Sequence, residues 1–448
     1  MIVDGTDAIR GRAKAIQCAP IERQTEGNLQ PPGPAPTRDD KDLSLLRLME
    51  PNVLADPHSF YRALRDHDPV HWDSYMHAWV VTSYPEVVNV LATCSADRTV
   101  PPAYLDRLGL SFMNPFAEAM SHQIMFMDGS SHARLRGLCL AAFTPRRIER
   151  LRAVIESVAD NLLDNVSAAG QVDLVAEFAN PLPAIVTAQL LGVPVEDHQL
   201  LHAWVLDVAE VLGNFQHHPD RVDQIVRSLQ CLRAYIAVQI QELRNKPNDG
   251  LISALLSAEV DDQQLTEEEV IDNTILILVG GHETTTSLIA GGFLTLLQRP
   301  DAYELLRKNP QIIASAVEEL LRFESPSQST ARIAPADLQL GGKVIKKGSR
   351  IVAGLAAANR DPNRFPDPDG LDLLRRDNRH VAFGWAAHFC FGAPLARMEC
   401  QIALNKLLGR LSQPPHLEDK LEWRSTAGFR SLRSLRIGLA SGRSMVSA

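Results

Sequence analysis

The chain has 448 residues, a formal net charge of −9, and 45% hydrophobic and 22% charged residues. Those proportions are ordinary for a globular protein and exclude a disordered chain, and the acidic balance argues against nucleic acid, which needs a concentrated basic face. The six cysteines (Cys18, Cys94, Cys139, Cys231, Cys390, Cys400) include no CxxC pair. Neither a zinc cluster nor a disulfide framework is indicated, and the usage fits a reducing cytoplasm.

The first twenty residues carry Asp4, Asp7, Arg10, Arg12 and Lys14 and no apolar run, so no signal peptide is expected. Residues 1–42 read as a flexible, Pro-rich extension. Residues 43–448 read as one mainly helical domain with a minor β part, since no repeat or linker divides them. HDPVHWD and HAWVVTSY (67–84) have the β-branched and aromatic residues of a small hairpin. Residues 144–166 place Ile148, Leu151, Ile155, Val158 and Leu162 at helical spacing. A further helix over 180–197 is closed by Gly192 and Pro194.

The most informative helix begins at Thr266, which stands at capping-box spacing from Glu269. It then turns almost wholly apolar for about 30 residues, or roughly 45 Å. That length would cross a bilayer, but His282 and Glu283 fall mid-span and Gly280, Gly281, Gly291 and Gly292 interrupt it. A core helix is the better reading. Gly280 and Gly281 leave backbone bare beside the carboxylate of Glu283 and the hydroxyl of Thr284. Two explanations stand equally at this point. Something flat could press on the helix and exchange protons with that pair, or the notch could serve helix packing, with the threonine bonding back to its own helix.

Near the end, HVAFGWAAHFCFGAPLARMEC (380–400) sets Cys390 among small and aromatic residues just before a helix. A lone cysteine is most often a buried apolar side chain. A nucleophile needs a well-placed base, and His388, two positions away, is poorly aimed for proton transfer. Zinc needs paired ligand spacing, which is missing here. A single axial thiolate to heme iron remains. It would use the apolar shield of Phe383, Phe389 and Phe391, the small residues Gly384 and Gly392, and the dipole of the following helix.

Phe383-Gly-x-x-x-His388-x-Cys390-x-Gly392, followed by A-P-L-A-R-x-E, resembles the heme-binding signature of the cytochrome P450 family. Three further motifs match in the family's order. GGHETT (280–285) resembles its acid–alcohol pair, Glu319-Leu-Leu-Arg322 its ExxR pair, and ANRDPNRFPDPDGLDLLR (358–375) the segment before the heme loop. Softer matches extend the resemblance over about residues 45–440.

The resemblance implies a P450-like fold, with a long central helix over a buried heme b whose iron is ligated by Cys390. It implies a monooxygenase that uses O₂ and two electrons from NAD(P)H, delivered by a separate ferredoxin or flavodoxin with its reductase. Thr284 and Glu283 become the proton-handling pair. His132, Arg136, Arg332 and His388 become propionate partners, and Gly280, Phe383 and Gly392 further heme contacts. Glu319, Arg322 and Arg375 become a structural ion network. Phe112, Met113, Phe116, Leu276, Val279, Gln328 and Phe429 are the expected pocket for an apolar small molecule. Arg134, Arg146, Arg147 and Arg397 offer a basic docking face. No nucleic acid, no membrane anchor and a cytoplasmic monomer are expected. A non-catalytic heme-thiolate sensor is the alternative, and coupling instead of hydroxylation stays open.

Two positions depart from the family pattern. Ala386 stands where glycine is usual, at a cost of about 1 kcal/mol if φ there is positive. Asp369-Gly-Leu-Asp372 replaces the usual Asp-Arg-Phe-Asp.

Overall fold

Thr266 opens the central helix as its spacing with Glu269 predicts. The Glu269 backbone N–H donates to Thr266 Oγ1 (3.2 Å), and the Thr266 N–H donates back to Glu269 Oε2 (2.9 Å). The helix runs over Glu267–Leu297 and is buried along most of its length. The computed structural model describes residues 43–166, 171–213, 221–411, 414–417 and 421–438. Residues 1–42, read above as a flexible extension, lie outside them. Contacts divide the chain into two units, each assembled from separated stretches, and the central helix contributes residues up to 282 to one and the remainder to the other.

The first unit, residues 97–149 and 184–282, is helical apart from a short hairpin of Glu259–Val260 and Gln263–Gln264. His198–Gly213 packs along Val222–Asn245, and Asn114–His122 also packs on the latter. The helix Pro181–Leu191 ends where Gly192 takes φ +80°, so the predicted stop is real and the helix is shorter than the 180–197 reading. A Cβ at Gly192 would clash with the backbone of Gly250, which makes the close approach of these two glycines obligatory.

The second unit contains a four-stranded mixed sheet in the order Val70–Asp73, Ala78–Val81, Arg350–Ala353, Thr330–Ile333. Its first pair is the expected hairpin, with Val70 opposite Val81 and Trp72 opposite Trp79. The Ala78–Val81 strand runs parallel to Arg350–Ala353, which pairs antiparallel with Thr330–Ile333. Val70, Val81, Val87, Val90, Ile351 and Val381 are among the core residues packed around this sheet. The helix expected over 144–166 is two, Pro145–Arg150 and Arg152–Val166, separated by Leu151. Leu151 is buried, as are Ile148 and Ile155, so the apolar period continues through the break and conceals it from sequence.

Among the described residues, no helix is long and apolar enough to cross a membrane. Four cysteines there are free thiols, and Cys231 is disulfide-bonded, a bond that the cysteine spacing did not indicate.

Candidate active site

The ExxR helix, Ile313–Glu324, supplies the anchor of the second unit. Glu319 and Arg322 lie three positions apart on one helix face and both are wholly buried. Arg322 Nε and Nη2 donate to Glu319 Oε2 and Oε1 at 2.8 and 2.7 Å. Its remaining N–H groups reach the carbonyls of Asn359, Pro368 and Gly370. Arg375 Nε (3.1 Å), Asn378 Nδ2 (3.1 Å) and the Asp372 N–H (2.9 Å) complete the shell of Glu319. The expected network is therefore present. Gly370 takes part through its carbonyl, which accepts from Arg322 Nη2 (3.1 Å).

Asn359 couples this anchor to the cysteine loop. Its carbonyl accepts from Arg322, its amide donates to Ser325 Oγ (2.9 Å), and its Oδ1 accepts from the Val381 N–H (2.7 Å). A second clamp holds the same segment. Arg397 Nε and Nη2 donate to both oxygens of Glu318 (2.6 and 2.8 Å), while His380 Nε2 lies 3.2 Å from Glu318 Oε2. Burial opposes the charge on Glu318, but the hydrogen bonds from Arg397 and His380 outweigh it and hold the carboxyl down at about 2. The Arg397 guanidinium also lies 4.6 Å over the Phe383 ring. Neither Asn359 nor the Glu318 clamp was singled out from sequence, although Glu318 stands beside Glu319. Arg397 pairs with Glu318 in the second unit, and Arg134 pairs with Glu269 in the first.

Phe383 closes the loop, because its carbonyl accepts the Cys390 N–H at 2.9 Å. Gly384 and Ala386 both have positive φ, +75° and +56°. The helix Ala393–Arg410 starts immediately, with the Ala393 N–H on the Cys390 carbonyl (3.4 Å). Of the four free thiols described, only Cys390 is exposed. Burial pushes the other three up, Cys139 to about 12. A Cβ at Gly392 would lie 3.7 Å from Cys390 Sγ, so this glycine leaves the sulfur's near side uncovered. Phe389 is 37% exposed beside it. Arg332 is buried on the strand Thr330–Ile333, where its Nη1 donates to Thr330 Oγ1 and the Ala331 carbonyl, and His388 ends the turn Ala386–His388.

On the central helix, Gly280 is exposed, whereas residues 270–279 are buried, and a Cβ added to it would meet nothing within 4 Å. Glu283 is buried, with Oε1 4.0 Å from Arg424 Nε, and Thr284 is half-buried. Ser287 bonds back to the helix, donating to the Glu283 carbonyl (2.8 Å), and meets Ser431 Oγ (2.7 Å). In the first unit, His132 and Arg136 share a face of Gly129–Ala142. Burial first, then the Arg136 guanidinium, lowers the His132 imidazole below its ordinary range, so His132 offers a neutral N–H and Arg136 the charge.

The expected pocket residues separate. Phe116, Leu276 and Val279 line one cavity of about 120 Å³ in the first unit, together with Met120, Val208 and Leu229. Phe112 and Met113, on the turn Ser111–Met113, are not in its wall. Gln328 and Phe429 line a different, smaller cavity of the second unit, beside Trp423 and Arg424.

The family model for cytochrome P450 matches residues 112–429. A polyketide biosynthesis cytochrome P450, PksS of Bacillus subtilis, is 37% identical over 400 residues, covering 86% of this chain and 96% of that protein. Nocardicin C N-oxygenase of Nocardia uniformis is 39% identical over 390 residues, covering 85% and 94%. Among solved structures, P450BioI in complex with hexadec-9Z-enoic acid ligated acyl carrier protein superposes with a TM-score of 0.81 at 35% identity, covering 87% of this chain and 99% of that one. The chain therefore belongs to the cytochrome P450 family of heme-dependent monooxygenases.

Proposed function

We propose that Cys390 is the axial thiolate of this monooxygenase, and that the enzyme oxidises a mostly apolar small molecule in specialised metabolism. The observation that carries the assignment is the accessibility of Cys390. It is the exposed free thiol, held by a backbone bond at the mouth of an 18-residue helix, next to a glycine that leaves its sulfur open. These residues fit a heme. Soft sulfur suits iron, the bare backbone at Gly280 suits a flat macrocycle, and Phe383, Phe389 and Gly392 give the sulfur an apolar surround. Arg332 and His388 would hold propionates, with Arg136 as a further cation and His132 as a neutral donor. When bound, a thiolate-ligated heme supplies O₂ activation.

The chain's own part is positional. Glu283, with Arg424 at 4.0 Å, and the neighbouring Thr284 hydroxyl would hold and pass protons. Electrons would come from NAD(P)H through a separate ferredoxin or flavodoxin and its reductase. The relatives' names support small-molecule biosynthesis as the setting.

The test is the Soret band of the reduced protein under carbon monoxide. The native chain should show the strong red shift of thiolate ligation, and Cys390→Ser should lose it while retaining its helical circular dichroism. A native protein without that band, or a serine variant that keeps it, refutes the assignment.

A further inference from the structure

The cavity of the first unit has an uneven chemistry. Twelve residues line it, and all but Arg98 and Gln123 are apolar. An arginine carries N–H donors only, so Gln123 is the one side chain of this wall with an oxygen that can accept a hydrogen bond. The other polar groups of Gln123 are engaged. Its N–H donates to the Met120 carbonyl (3.2 Å), its carbonyl accepts from the Phe126 N–H (3.0 Å), and its Nε2 donates to the Asp272 carbonyl (3.0 Å). A backbone carbonyl can only accept, so this last bond fixes the amide with Oε1 as its opposite pole. The residues on either side hold the frame. The His122 carbonyl accepts from Asn273 Nδ2 (2.8 Å) and the Ile124 N–H donates to Asn273 Oδ1 (2.9 Å), on the helix that also brings Ile275, Leu276 and Val279 to the wall. Gln123 is 7% exposed, and its Oε1 accepts from no donor among the described residues. An acceptor held in place within an apolar wall costs free energy until a donor meets it. At about 120 Å³ the space is smaller than the few hundred Å³ of a whole ligand site, so it receives one end of a longer molecule.

We propose that Gln123 is a specificity residue whose Oε1 accepts a hydrogen bond from a hydroxyl or N–H group on an otherwise apolar substrate, with the adjoining hydrocarbon against Phe116, Leu229 and Leu276. This rests on the monooxygenase reading above and narrows its substrate class.

The test uses the heme-loaded protein and a panel of dodecan-1-ol, geraniol and 4-phenylbutan-1-ol, each beside its methyl ether, with N-methyldodecanamide beside its N,N-dimethyl analogue. Binding is followed by the Soret spin-state shift and, independently, by thermal shift. At least one donor should bind about threefold or more tighter than its methylated partner, the scale of a hydrogen bond between neutral groups. Gln123→Met keeps the length of the side chain and removes the acceptor, so it should bring that ratio to one or below, with the methylated partner's affinity unchanged. Gln123→Glu keeps an acceptor oxygen at the same place in either protonation state and should keep the preference. No donor preferred over its partner in the native protein, or a ratio that survives Gln123→Met, overturns the proposal. Should Gln123→Met fail to fold, loss of the preference in Gln123→Glu overturns it and retention upholds it. A native protein lacking the red-shifted carbon monoxide band refutes the monooxygenase reading instead, and the thermal shifts then still decide on Gln123.

Discussion

Glu319 and Glu399 lie on two helices of the second unit that pack on each other, Ile313–Glu324 and Ala393–Arg410, and neither side chain reaches solvent. Their chemical states are opposite. Glu319 is surrounded by two arginines, an asparagine amide and a backbone N–H. Glu399 has no cation beside it, and its Oε2 has no hydrogen-bond partner. Burial alone pushes it up to about 8, so it is protonated at neutral pH. Burial is thus no guide to charge. What decides is whether loop carbonyls and cations converge, and for Glu319 they do so where residues 359–378 fold over the ExxR helix. A buried ion pair secures geometry more than it adds net stability. Here the geometry secured is the route by which the chain enters the cysteine loop, through Asn359 and Val381.

The largest effect should come from breaking the satisfied side. Arg322→Ala leaves Glu319 buried with a diminished shell and strips the donor from the carbonyls of Asn359, Pro368 and Gly370. A loss of about 3–5 kcal/mol is expected in equilibrium unfolding, with reduced heme retention. A change below about 1 kcal/mol would mean that Arg375 and Asn378 suffice, and the contrast with Glu399 would collapse.

The unsatisfied side should respond in the other direction. Glu399 is protonated in the fold up to about pH 8, whereas the unfolded chain releases that proton near 4.5. Its contribution is fully present below pH 4.5, declines as pH rises, and is gone above about 8. Glu399→Gln removes the titration. The variant's melting temperature relative to the native chain should therefore climb across pH 4.5–8, with a gain of about 1–3 kcal/mol at the upper end. Glu318, held at about 2, should give the mirror image, stabilising above 4.5 and losing effect as pH falls toward 2. A flat difference profile for Glu399→Gln would show that water or a shifted side chain meets Oε2.

The two glutamates also mark what sequence could and could not convey. Glu319, Arg322 and Arg375 were legible because i, i+3 spacing puts a carboxylate and a guanidinium on one helix face, and a resemblance supplied the third member. Asn359, Asn378 and the Asp372 N–H were not, since they come from an irregular segment whose path no periodicity encodes. The capping box, the 67–84 hairpin and the Gly192 stop were legible for the same local reasons. Phe112 and Met113 lie outside the wall of the first unit's cavity, and apolar character alone does not say which way a short turn faces. Glu399 closes the A-P-L-A-R-x-E run, but its burial was not legible, because an acid in a helix that is mixed in polarity reads as solvated.

The smallest expected effect concerns a cost that involves no charge. Within the cysteine loop two residues take left-handed backbone, and glycine occupies one of them, Gly384, while Ala386 occupies the other at φ +56°. An L side chain there costs about 1 kcal/mol. The Ala386 methyl group is exposed, so it recovers little by packing, and its carbonyl accepts the Phe389 N–H (3.1 Å) in a turn that glycine would form equally well. Ala386→Gly should relieve that strain. The gain is opposed by the greater freedom of glycine in the unfolded chain, worth about 0.4–1 kcal/mol. The net change should therefore lie within about 1 kcal/mol of zero, with the carbon monoxide band in place. A clear loss of stability would mean that the alanine contributes contacts its exposure does not suggest. A shifted band would mean that position 386 tunes the backbone hydrogen bonds around the sulfur, and strain in this loop would then act on the ligand as directly as charge does on its supports.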